Sequence, residues 1–179
     1  TELAREVRAA GLDVPVVVLA YDERELNDFV AGGESPGIER CFLWQGNARI
    51  LIAIVKAIED QRNAAHDTRT TGVRVILLVE DSIRFYSAFL PVIYTEIIRQ
   101  SERLMSEGMN LSHKLVRLRA RPKILLCTTY EEAWERFLAY RDTLLGILTD
   151  VEFPRHGRRS PEAGFELARM ARAAVPDLP

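Results

Sequence analysis

Read for its apolar and polar positions, the chain resolves into short, continuously apolar runs separated by amphipathic stretches. The apolar runs are Val16 to Ala20, Ile38 to Trp44, Val73 to Val79, Pro122 to Cys127 and Leu144 to Thr149. Runs of this length predict strands buried on both faces, as in a parallel sheet. The stretches between them carry apolar residues at helical spacing. They predict helices over 2–10, 22–30, 48 to near 62, 83 to 108, 109–121, 129–141 and 162–174. Punctuation agrees with several of these. Gly11 comes after the first helix as a C-terminal glycine, Asn47 stands where a cap is needed, and Thr129 with Glu132 forms a capping-box pattern. The helix after Val79 is unusually long, and Pro91 inside it predicts a kink. Strands alternating with helices predict an α/β fold.

The chain also repeats itself. Residues 2–15 and 166–179 share nine of fourteen positions, including Asp13/Asp177 and Pro15/Pro179 beyond the helix proper. The chain therefore begins and ends at the same element of two tandem copies, a helix that turns into a strand. Residues 63–72 are polar and read as a linker between them, with His66 as a solvated side chain. This divides the chain into 1–62, a linker over 63–72, and 73–179. The Phe85-to-Met105 helix has more apolar surface than one small domain needs, which marks it as a candidate dimer or domain interface.

Composition narrows the partners. A net charge of −2 with 28% charged residues gives no general pull toward nucleic acid or an anionic membrane. The basic residues His113, Lys114, Arg117, Arg119 and Arg121 read as a solvated helix face. Cys41 and Cys127 each lie in a strand run and read as core thiols of a reducing compartment. No apolar stretch is long enough to span a bilayer, and no secretion leader opens the chain, so a cytoplasmic protein is expected.

The chemistry gathers at two strand ends. One apolar run ends in Glu80-Asp81-Ser82, another in Thr149-Asp150. Neighbouring parallel strands would bring the three carboxylates to one rim, where open α/β sheets place their ligands. Like charges that close call for a cation, and all-oxygen ligands suit Mg2+.

Apolar strand, Glu80-Asp81-Ser82, then apolar strand, Asp150-Val151 and Pro154, resembles the receiver domain of bacterial two-component response regulators. The runs Trp44-x-Gly46, His66 to Arg69, Glu80 to Ser87, Asn110 to Lys114 and Pro161 to Phe165 are further similar to the tandem receiver region ahead of phosphoenolpyruvate synthase/pyruvate phosphate dikinase-type domains in some bacteria. The resemblance implies a flavodoxin-like, five-stranded parallel sheet. Here it would be assembled from two half-receivers, either circularly permuted or exchanged between two chains. It implies Mg2+ held by Glu80, Asp81, Asp150 and the backbone carbonyl of Glu152, with Asp150 as phosphoacceptor. It implies a histidine kinase or other phosphodonor, a phosphoenolpyruvate synthase-type domain as partner, and a homodimer. It implies signalling rather than enzyme turnover.

The chain departs from that pattern: the helix after Val79 is much longer than its counterpart in receivers, and two further groups are missing. Receivers also need a Ser/Thr ending the fourth strand and a Lys ending the fifth; the matching positions here are Ala20 and, approximately, Gln45. The first copy therefore reads as a degenerate receiver. This opens an alternative reading, a non-phosphorylated pseudo-receiver that docks or dimerises. A metal-dependent hydrolase on the same rim would lack a general acid, since His156 lies in a polar loop and is expected to be exposed.

Overall fold

The computed structural model describes residues 2–33, 36–103 and 121–179. In chain order its elements are α1 (Glu2–Ala9), β1 (Val17–Ala20), α2 (Glu23–Ala31), β2 (Arg40–Leu43), α3 (Arg49–Thr71) and β3 (Val75–Val79). Next come α4 (Ile83–Arg103), β4 (Lys123–Cys127), α5 (Tyr130–Tyr140), β5 (Leu144–Thr149), β6 (Phe153–Arg155), β7 (Arg158–Ser160) and α6 (Ala163–Ala174). The expected continuation of α4 to 108, the helix over 109–120 and most of its basic face lie outside the described residues.

The five apolar runs are strands, but they do not share one sheet. β4, β3 and β5 form a three-stranded parallel sheet with β3 in the middle; β1 and β2 form a separate parallel pair. The expectation of a five-stranded sheet within one chain is corrected accordingly. Between β2 and β4 the contact passes through a side chain, not a ladder: Arg40 donates to the Leu126 carbonyl at 3.4 Å and pairs with Glu132 at 3.9 Å.

The helices cover both faces of the central sheet. α3 and α4 bury Ile50, Ile54, Leu90 and Tyr94 against Leu78, Ile124, Leu126 and Phe42. On the other face α5 and α6 bury Phe137, Ala171 and Leu167 against β3, β4 and Phe153. Asp22 and Thr129 cap α2 and α5, each accepting the N–H three residues on.

Two local expectations change. The segment read as a linker is the last part of α3, which runs unbroken from Arg49 to Thr71. The stretch is polar but has no Gly or Pro before Gly72, which ends the helix in the left-handed region (φ 65°). Tertiary contact then holds it: Ala64 is fully buried, and Asp67 pairs with Lys123 at 2.7 Å. Arg121 is not a solvated basic residue. It is buried and grips Asp60 through both terminal nitrogens at 2.7 and 2.8 Å. Asp60, with no exposure, also accepts from Tyr94 Oη and from the Ile124 N–H, and so ties α3 to α4 and to the start of β4.

Candidate functional site: an acidic rim at the ends of β3 and β5

The parallel ladder itself builds the rim. The Glu80 N–H donates to the Cys127 carbonyl and the Asp150 N–H to the Val79 carbonyl, both at 2.9 Å, so pairing carries one step past each strand. Glu80, Asp81 and Asp150 are thereby fixed side by side at the carboxyl end of the sheet. Each offers a carboxylate oxygen, and these oxygens lie within 4.8 Å of one another.

The three carboxylates are not equivalent. Glu80 is buried at 4% exposure, and its Oε1 accepts the Ser82 N–H at 3.0 Å. Burial, with Asp150 and Asp81 adding like charge, raises its pKa above the ordinary glutamate value. Asp81 faces Arg159 from β7 through Oδ2 at 3.4 Å, while its Oδ1 is buried without a hydrogen-bond partner. Asp150 Oδ1 accepts the Val151 N–H at 2.7 Å.

A buried, orphaned carboxylate oxygen among three acids is the condition a hard cation relieves, so Mg2+ fits this donor set. Glu80, Asp81 and Asp150 would hold it, and the ion would supply positive charge between the carboxylates and an incoming anion. The Glu152 carbonyl is less free than expected, because it accepts from Arg159 Nη2 at 3.4 Å.

Two residues about the rim escape a reading of the sequence. Arg159 is carried there by a hairpin, β6–β7, where residue order predicts a loop over 154–161. Its turn is made by His156 (φ 51°) and Gly157 (φ 72°). The second residue is Gly164 at the start of α6. A Cβ there would run into the Asp150 carbonyl oxygen and stand 3.0 Å from Val151 Cα, so only glycine lets the helix come this close. The signal is present, since Gly164 lies in the 161–165 run, but its role is spatial.

The other candidates fall elsewhere. Ala20 packs with Leu26, Cys41 and Leu43, and Gln45 donates to the Arg84 carbonyl at 2.7 Å. His156 is exposed, at 78% for its side chain, and is bonded to Glu131. Both cysteines are buried and free. Beside the rim, α4 and β5 leave an apolar groove of about 550 Å3 lined by Phe85, Phe89, Val92 and Leu148, with Glu80 and Asp150 at its end. No helix among the described residues is long and apolar enough to cross a membrane.

No family model, no curated protein and no solved structure matches this chain.

Proposed function

We propose that the rim is a receiver-type phosphoacceptor site in a signalling module, with Asp150 as the acceptor and Mg2+ held by Glu80 and Asp81. The observation that carries this reading is the meeting of three carboxylates from two adjacent strand ends, one of them with a buried, unpaired oxygen. Of the two aspartates at the rim, Asp81 pairs with Arg159, and no ion pair holds Asp150 among the described residues. In the reaction an Asp150 carboxylate oxygen attacks the phosphorus of the donor. An O–P bond forms, and the donor's bridging bond breaks with its electron pair leaving on the departing group. A cation held by Glu80, Asp81 and Asp150 would offset the repulsion between the two anions. The phosphodonor in this reading is a histidine kinase or an acyl phosphate, the compartment is the cytoplasm, and the regulated partner is a phosphoenolpyruvate synthase-type domain.

A second reading has its own support. The hydroxyl and ammonium groups that receivers use have no counterpart at Ala20 or Gln45, and an apolar groove opens beside the rim. These features favour a pseudo-receiver that binds a partner without being phosphorylated.

Intact-mass measurement after incubation with acetyl phosphate and Mg2+ separates the two. The phosphoacceptor reading expects one phosphoryl adduct, dependent on Mg2+ and absent from Asp150→Asn. A folded chain that takes up no phosphoryl group would overturn it in favour of the docking module.

A further inference from the structure

The hairpin that carries Arg159 is a fixed mount. Phe153 of β6 is fully buried in a cluster with Val79, Cys127 and Leu167. Arg155 pairs with Glu166 of α6 and lies over the Tyr130 ring of α5, 4.5 Å from its centre. The turn residue His156 donates its N–H to Glu131 at 2.9 Å. The hairpin is thus tied to the core, to α5 and to α6. The part of it left free to turn at the rim is the Arg159 side chain, which is more than half exposed.

That side chain is held loosely. Nη1 lies 3.4 Å from Asp81 Oδ2, Nε 3.1 Å from Glu152 Oε1 and Nη2 3.4 Å from the Glu152 carbonyl oxygen. The buried Arg121, by contrast, grips Asp60 at 2.7 and 2.8 Å. Exposed pairs contribute little, so Arg159 can change partners at small cost. Among the described residues it is also the one cation paired with a rim aspartate. The rim gives it somewhere to turn, because Asp81 and Asp150 offer oxygens within 4.8 Å of each other. The charge of Asp81 cannot be fully used by Arg159 and by a divalent cation at once, so ligation frees Nη1. A phosphoryl group on Asp150 would add about two negative charges on that side. A planar guanidinium matches phosphate oxygens with two parallel N–H donors.

We propose that Arg159 is the residue that binds the phosphoryl group at Asp150, exchanging Asp81 for phosphoryl oxygens. The inference rests on the phosphoacceptor reading and adds to it the side chain that meets the incoming anion. Arg159 forms and breaks no covalent bond. It donates N–H groups to the phosphoryl oxygens as the Asp150 carboxylate attacks, while Nε keeps its contact with Glu152.

Intact-mass time courses with acetyl phosphate at saturating Mg2+ test this, with Mg2+ affinity measured separately by calorimetric titration. Arg159→Ala, with unchanged circular dichroism, should bind Mg2+ more tightly than the unaltered chain. It should still take up the phosphoryl group about tenfold more slowly, the worth of one charge-assisted hydrogen bond. Arg159→Lys keeps the charge and should recover part of the rate. Arg158→Ala, at the exposed neighbouring residue, should change neither rate nor affinity. An Arg159→Ala chain that takes up the phosphoryl group at the unaltered rate would overturn the inference and leave the phosphoacceptor reading intact. So would slow uptake joined to unchanged or weaker Mg2+ binding, which would mean that Arg159 only shapes the rim. An unaltered chain with no uptake would instead overturn the phosphoacceptor reading, and this inference with it.

Discussion

The two ends of the chain are nearly the same peptide in two surroundings. Residues 2–15 and 166–179 both fold as a helix leading to a proline, yet they bury opposite sides. Leu3 is 66% exposed where its counterpart Leu167 is fully buried; Ala4 is buried where Ala168 is exposed. The difference lies in what each helix has to lie on. α6 rests on the three-stranded sheet, where Leu167 meets Val79, Cys127 and Phe153. α1 precedes only the β1–β2 pair and is held by small contacts, such as the Ala4 carbonyl approaching Gly37. Amphipathic spacing specifies that a helix forms; the neighbouring sheet decides which residues it buries.

The contrast between shallow and deep anchoring predicts a hierarchy of mutational effects, and the largest belongs to Asp60, which anchors α3 to β4. Asp60→Ala would leave the Arg121 guanidinium buried without its carboxylate, while Lys123 keeps Asp67. Removing one member of a buried ion pair costs about 3–5 kcal/mol. Urea unfolding should show that loss. A change under about 1 kcal/mol, the range of an exposed pair, would mean that α3 is not anchored to β4 as described.

The repeat itself supplies the next comparison. Leu167→Ala should cost about 2–5 kcal/mol, as for other buried leucines. Leu3→Ala, at the matching position, should stay within about 0.5 kcal/mol. Equal losses at the two positions would show that α1 buries Leu3 after all, and would erase the distinction between the ends.

A smaller effect is expected at Gly164, where α6 touches the rim. Gly164→Ala forces a Cβ against the Asp150 backbone, and overpacking of this kind costs about 1–3 kcal/mol. Here the readout is double. Stability should fall, and phosphoryl uptake at Asp150 should fall with it, because the displaced backbone carries the acceptor. Loss of stability with full uptake would separate the helix contact from the site.

These comparisons also mark what can be read from residue order. The strands are legible because each is a continuous apolar run, and the cap of α5 because Thr129, with Glu132 three residues on, stands just before helical spacing begins. The meeting of Glu80, Asp81 and Asp150 is legible as well, since parallel neighbours align their ends. The division into two sheets is not, because which strands pair is decided between distant residues; where β2 approaches β4, the contact is a side chain, Arg40, reaching a residue 86 positions away. Nor is the pairing of Asp60 with Arg121 across 61 positions, which turns an apparently solvated basic residue into core. The length of α3 is hidden because its polar last turns have the composition of a linker, although nothing before Gly72 breaks a helix. The β6–β7 hairpin has three-residue strands, too short for alternation to show.

That hairpin provides the most delicate test, because Arg159 sits on it and reaches the well-packed rim. Its side chain is 59% exposed and pairs with Glu152 at 3.1 Å and Asp81 at 3.4 Å. Exposed pairs of this kind contribute about 0–1 kcal/mol, so Arg159→Ala should barely move the unfolding free energy. Its effect on ion binding should be larger than its effect on folding. The guanidinium and a divalent cation compete for Asp81, and the cation must also overcome the repulsion of a positive neighbour. Removing that charge is worth on the order of 1 kcal/mol at this spacing in a solvated site, or about fivefold tighter Mg2+ binding by calorimetric titration. Tighter Mg2+ binding with unchanged stability would show that Arg159 tunes the ion site without supporting the fold. Unchanged Mg2+ binding would remove Asp81 from the ligand set and leave its orphaned oxygen as a feature of the fold alone.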